Sequence, residues 1–226
     1  MGNARTRDGV SLICRPRKVK SMTTAPYRIE TERLVLRCYD PEDAPLLKDA
    51  VDRSLEHLRP WMPWTPDEPE ALDTVYERLR GFRGRYDLGE DYAMGLFSPD
   101  DSRVLGGAGL HTRLGEGALE IGYWIAAESI GQGYATELSA VLTRVGFEHF
   151  GVDRIEIRVD PENARSEKVP RKLGFTHEAT LRRRLPTKRG SDLRDVNVWT
   201  MFAAELASSP CVQHEYVAYD ALGRQL

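Results

Sequence analysis

Apolar positions along this chain follow two periods, and the places where the period changes outline its elements. "RIETERLVLRCYD" carries Ile29, Leu34 and Leu36 in the pattern of a strand with one buried face. Asp40-Pro41-Glu42-Asp43 reads as an N-cap with proline and acids in a first helical turn, opening a helix through "APLLKDAVDRSL". "LRPWMPWTPDEP" is a rigid loop, because Pro60, Pro63, Pro66 and Pro69 block regular structure. A second helix follows, with Leu72, Val75, Tyr76 and Leu79 on one face.

The period then returns to that of strands. "DYAMGLFS" and "RVLGGAGLHTR" flank the turn "PDDS", and "LGEG" leads into "ALEIGYWIA". From Thr136 to Phe150, Leu138, Val141, Leu142, Val145 and Phe147 fall at helical spacing. "GVDRIEIRVD" is a strand, and "ARSEKVPRKL" a short helix ended by Gly174 at its C-cap. "GFTHEATLRRRL" and "RDVNVWTMFAAEL" make two last strands around the polar loop "PTKRGSD". This order predicts a mixed α+β fold, a meander followed by a β-α-β-α-β pattern. "EYVAYD", within residues 207–226, is a further candidate strand; an edge strand, an exchanged element and a frayed tail all fit it.

Composition adds little to this picture. A length of 226 residues fits one large domain with tails: an extension over 1–26, the domain over 27–206 and a C-terminal tail over 207–226. With 41% hydrophobic and 30% charged residues and a net charge of -3, the bulk points to neither nucleic acid nor a membrane. The first 21 residues are the exception. They carry Arg5, Arg7, Arg15, Arg17, Lys18 and Lys20 against Asp8, six minus one or +5. A disordered extension, or a start at Met22, is the expectation here, with a nucleic-acid-binding arm as the alternative. The apolar run "VSLIC" is too short for a signal-peptide core, and no run elsewhere approaches membrane-spanning length. Cys14, Cys38 and Cys211 are odd in number and lack metal-ligand spacing, so reduced thiols in a cytoplasmic protein with no metal are expected.

Chemistry enters at Glu120–Leu142, where a strand breaks at Gly131-Gln132-Gly133 and resumes as a helix. A helix start offers unpaired N–H groups and partial positive charge, and glycines let a phosphate approach them. A helix-entry turn without a ligand has the same sequence. A P-loop would need lysine followed by serine or threonine after the second glycine, and "GQGYATE" has no such pair. A dinucleotide fingerprint would need a third glycine where Thr136 stands.

In "EIGYWI…GQGYATE" and "NARSEKVPRKLGF", two separated motifs in compatible order and spacing, the chain resembles the GNAT-type N-acetyltransferases. The likeness runs from about Tyr27 to Leu206. It is nearest to the branch that acetylates serine or alanine N-termini of ribosomal proteins, with its small-molecule relatives; "IETERLVLR" and "HLRPWMPW" suit that branch. The resemblance implies a GNAT-type acyl-CoA N-acyltransferase fold, with a mixed, mostly antiparallel twisted sheet, splayed at the cofactor site and flanked by helices. It implies acetyl-CoA as co-substrate and a primary amine as acceptor. A protein N-terminus is preferred, a polyamine, amino acid or drug is the alternative, and an acyl-CoA-binding module without catalysis is the third reading. A homodimer is compatible with the branch.

Placed on residues, the family's pyrophosphate loop, Arg/Gln-x-x-Gly-x-Gly/Ala, puts Ile130 at the Arg/Gln position, Gly133 at the glycine and Ala135 at the last. Ile130 departs from that pattern and loses a side-chain donor. The N–H groups of Gly131, Gln132, Gly133, Tyr134, Ala135 and Thr136 remain for the diphosphate. Trp124, Ile125 and Ala126 fall where the family's strand splays and leaves backbone groups to pantetheine. Asn163 and Ser166 match Asn-x-x-Ser at the next helix, near the sulfur, although a turn cap and an N-cap would use the same residues.

Acetyl transfer needs a deprotonated amine, a donor to the oxyanion and a proton for the leaving thiolate. The resemblance implies Glu120 as base through water and Ser166 as a catalytic hydroxyl; for Glu120, an exposed strand carboxylate is the plain alternative. A tyrosine that protonates the thiolate in one sub-branch is replaced by Pro170, and a second glutamate by Leu185. Tyr123 and His111 are fallbacks, with His111 first read as structural. The early helices and the Trp61/Trp64 loop are expected to line the acceptor groove.

Overall fold

The computed structural model describes residues 25–186 and 193–226. Most of the expected N-terminal extension, with Cys14, and residues 187–192 of the polar loop lie outside the described residues. Among those described, nine strands form one sheet: β1 (Arg28–Glu30), β2 (Val35–Cys38), β3 (Tyr92–Phe97), β4 (Val104–His111), β5 (Ala118–Ile125), β6 (Arg154–Val159), β7 (Thr176–Pro186), β8 (Leu193–Phe202) and β9 (Val217–Tyr219). Their order is β7-β8-β6-β5-β4-β3-β2-β1-β9. Every neighbouring pair is antiparallel except β5 with β6.

The first strand expected from the sequence is two. Thr31 Oγ1 accepts from the N–H groups of Arg33 and Leu34 at 3.2 and 3.0 Å, a serine/threonine turn that folds β1 back onto β2 with Ile29 opposite Leu36. Beyond β2, Asp40 caps as expected, accepting from the Glu42 N–H at 3.0 Å. The turn Pro41–Asp43 is a tight 3-10 turn, and α1 (Ala44–Leu58) follows. α2 (Leu72–Asp87) buries Val75, Leu79 and Tyr86, while Leu72 and Tyr76, expected on that face, are 44% and 42% exposed. The buried stripe runs on toward Tyr86, and Tyr76, one residue past Val75, points about 100° away from it.

α1 and α2 cover one face of the sheet, meeting Val35, Phe97 and Val104. α3 (Tyr134–Glu148) and α4 (Ala164–Leu173) cover the other, where Leu138, Leu142 and Val145 are wholly buried with Ile121, Ile155 and Leu173. Each aliphatic side chain buried this way stabilises the fold by about 1.5–3 kcal/mol. The C-terminal segment completes an edge: β9 pairs with β1, Ala218 opposite Ile29, and Ser209 Oγ donates to the Leu173 carbonyl at 2.7 Å. The edge strand is therefore the form this tail takes.

Candidate active site

The site begins where the parallel pair, β5 with β6, comes apart. β5 pairs with β6 through Ala118–Ile121 and no further, although β6 continues along β8 to Val159. Across its other edge β5 stays paired with β4 as far as Ile125 opposite Gly106. The Ala126 N–H bonds the Leu105 carbonyl on the β4 side at 2.8 Å. Strand alternation then turns the Trp124 N–H toward β4 as well, and turns the N–H and carbonyl groups of Tyr123 and Ile125 into the gap left by β6. The backbone donors expected around Trp124 and Ile125 thus belong to Tyr123 and Ile125. Trp124 contributes its indole.

From the gap the chain runs through a 3-10 turn, Ala127–Ser129, to the glycines. Gly131 and Gly133 have φ of +78° and +84°, a region that costs any side chain with a Cβ. Gly133 is the N-cap of α3 and no side chain caps that helix; the Thr136 and Glu137 N–H groups bond the Gly133 carbonyl at 3.0 and 3.1 Å. The N–H groups ahead of Thr136 are those a helix start leaves open, at its positive end. Arg33, from the β1–β2 turn, braces this turn: its Nη1 donates to the Gln132 carbonyl at 3.1 Å and its Nε to Glu137 at 2.9 Å. Its guanidinium also lies 5.1 Å from the centre of the Tyr134 ring. That brace was not foreseen from the sequence.

A cavity of about 680 Å³ runs along the glycine turn and the gap. Trp124, Ile125, Gly131, Gly133, Tyr134, Ala135 and Thr136 line one wall, and Asn163 and Ser166 the other. Arg165, Lys168 and Lys172 add positive charge. Of the remaining expected residues, Ala126 is buried behind the wall and Gln132 turns its backbone carbonyl to Arg33. Open N–H groups beside three cations suit a diphosphate, so these residues fit CoA.

Asn163, not Ser166, caps α4: its Oδ1 accepts from the Ser166 N–H at 3.1 Å. Pro170 consequently sits inside the helix, beyond the first-turn boundary, and lacks the N–H that would bond the Ser166 carbonyl. The Ser166 hydroxyl lies 2.8 Å from the Tyr123 hydroxyl. Burial pushes the Tyr123 phenol up to about 12, against the pull of its bond to Ser166. Both residues of this pair line the larger cavity. Glu167 does structural work, accepting from Asn197 Nδ2 and Trp199 Nε1 at 2.9 and 3.1 Å.

A second cavity, about 360 Å³, opens on the α1/α2 side and shares Met62, Tyr123 and Trp124 with the first. Leu47 and Val51 of α1, Arg78 and Phe82 of α2, and Trp64 wall it. Trp64 meets Trp124 edge-on with ring centres 6.1 Å apart, and Trp61 lines the larger cavity, so both tryptophans are pocket walls. His111 and Asp91 also line this cavity. Glu120 lines neither: its side chain is 7% exposed, Arg113 holds its two oxygens at 2.5 and 2.9 Å, and Arg158 lies 3.6 Å away.

Residues 33–176 match the Acetyltransferase (GNAT) domain model. Over 154 residues the chain is 29% identical to the putative ribosomal N-acetyltransferase YdaF of Bacillus subtilis, covering 67% of this chain and 82% of that one. It is also 29% identical over 154 residues to the [ribosomal protein uS5]-alanine N-acetyltransferase of Escherichia coli, covering 67% and 79%. Among solved structures, Mycobacterium smegmatis RimJ in complex with CoA-disulfide superposes with a TM-score of 0.73 at 26% identity, over 83% of this chain and 93% of that one.

Proposed function

This chain belongs to the GNAT acetyltransferase family of acetyl-CoA-dependent N-acetyltransferases, and we propose that its acceptor is the N-terminal α-amine of a protein. The observation that carries this reading is the meeting of two cavities at Tyr123 and Trp124. One has a phosphate cradle; the other has an apolar, aromatic wall with a histidine–carboxylate pair. They share Met62, Tyr123 and Trp124, so on this reading donor and acceptor meet at one point on the strand that β6 abandons.

Bound acetyl-CoA supplies an activated acetyl thioester. The glycine-turn N–H groups, with Arg165, Lys168 and Lys172, hold its phosphates. The Tyr123 and Ile125 N–H groups meet pantetheine and the carbonyl oxygen on which charge develops. Ser166, backed by Tyr123, protonates the sulfur and takes the place of the tyrosine that Pro170 replaces. Glu120 fixes Arg113 at the rim of the acceptor cavity.

Magnitude favours an α-amine. At pH 7 an amine of pKa about 7.7 needs roughly 1 kcal/mol to become neutral, whereas a lysine at about 10.4 needs about 4.6 kcal/mol. The names of the relatives point the same way. Thiol release from acetyl-CoA, measured against N-terminal peptides, lysine-bearing peptides and small amines, tests the reading. Turnover with N-terminal peptides is expected. Turnover with small amines alone would replace it with small-molecule acetylation, and CoA binding without any turnover would leave a binding module.

A further inference from the structure

We propose that His111, held by Asp91, is the general base that takes the proton from the acceptor amine; the proposal rests on the acetyl-transfer reading above. His111 closes β4, and its Nδ1 lies 2.9 and 3.2 Å from the two oxygens of Asp91, the residue before β3. Donation of Nδ1–H to that carboxylate fixes the tautomer in which Nε2 carries the lone pair. The His111 side chain keeps 22% of its surface exposed, and ring and carboxylate both border the smaller cavity. The pair is therefore presented to a visitor, not sealed in the core.

Glycines give the ring its place. A Cβ on Gly122 would lie 3.0 Å from Nε2, and one on Gly109 would lie 2.9 Å from Cε1 and 3.0 Å from Nε2. Both contacts are tighter than a real Cβ adopts without displacement. Gly109 and Gly122 face each other across β4 and β5. The imidazole rests on this bare patch and reaches the first residue of β5 beyond its pairing with β6. That is where the two cavities meet at Tyr123.

Other groups nearby are already committed. Glu120, opposite His111 in register, has both oxygens held by Arg113. Glu156 is held by Arg154 and Arg158 on β6. Arg78 approaches from α2 and pairs with Glu68 and Glu70. The charged groups around the imidazole are thus Asp91, Arg113 and Arg78, which border the same cavity, with the paired Glu120 opposite on β5.

The ammonium of the acceptor gives one proton to Nε2, leaving a neutral amine and an imidazolium. Nitrogen bonds to the acetyl carbon, the carbon–sulfur bond breaks with its electron pair on sulfur, and Ser166 protonates the sulfur. The second proton lost from nitrogen restores Ser166. One proton in net reaches solvent, through the imidazole.

The test compares wild-type protein with His111→Gln, Asp91→Asn, Asp91→Glu and Glu120→Gln, using an amine turned over in the thiol-release assay, over about pH 5.5 to 9. CoA affinity is measured on each by calorimetry. His111→Gln is expected to lower kcat at least about 100-fold, keep CoA affinity within about twofold, and remove the acid limb of the rate profile. Asp91→Asn is expected to lower kcat about tenfold and Asp91→Glu to recover part of it, as befits a positioning residue. An unchanged limb in His111→Gln, loss of the limb in Glu120→Gln instead, or equal losses of rate and CoA affinity would each overturn the base. Wild-type protein that turns over no amine would fail at the earlier step, refuting acetyl transfer and the base with it.

Discussion

Ser166 shows how one side chain serves two levels of the molecule. Its N–H is spent on the Asn163 cap, which leaves its hydroxyl to meet Tyr123 at 2.8 Å. Because burial pushes the phenol up to about 12, Tyr123 remains a proton donor throughout the range in which an α-amine titrates. Ser166→Ala is expected to lower kcat about 100-fold while the KM for acetyl-CoA stays within about twofold, in steady-state thiol release. An equal rise in KM would make Ser166 a binding group. A serine three residues after an asparagine is visible in the sequence, but its partner is 43 residues away on β5, beyond the reach of any local pattern. Asp91 was missed for the same reason. It is an ordinary turn acid in the sequence, and only the pairing of β3 with β4 sets it against a histidine 20 residues on.

At the scale of elements, α4 was the most legible piece: "ARSEKVPRKL" is its full extent, and Gly174 at φ +83° closes it. Its start depends on one cap. Asn163→Ala is expected to destabilise the protein by about 1 kcal/mol in urea unfolding and to lower kcat by releasing Ser166. A stability change with full activity would separate the cap from the chemistry. The meander was also readable, because alternation and turn residues are local. The split of the first strand was not, since the turn at Thr31 carries neither glycine nor proline and is made by a threonine hydroxyl. The end of pairing at Ile121 left no mark either: "ALEIGYWIA" reads as one continuous strand through it, and the family resemblance supplied the expectation of a gap.

At the scale of the whole molecule, the two cavities share Met62, Tyr123 and Trp124 beside the widening between β5 and β6. Arg165, Lys168 and Lys172 of α4 and the open N–H groups at the start of α3 border the larger cavity, and side chains of α1 and α2 wall the smaller one. Among the described residues no helix is long and apolar enough to cross a membrane. The arrangement depends on CoA lying along the glycine turn, and calorimetric titration of CoA into wild-type protein and Gly133→Val asks this most directly. Valine at a φ of +84° adds a strained Cβ branch to the cradle. The account predicts saturable 1:1 binding by wild type and at least about tenfold weaker binding by the variant, with the variant still folding cooperatively. Equal affinity in the two proteins, or no CoA binding by wild type, would contradict it.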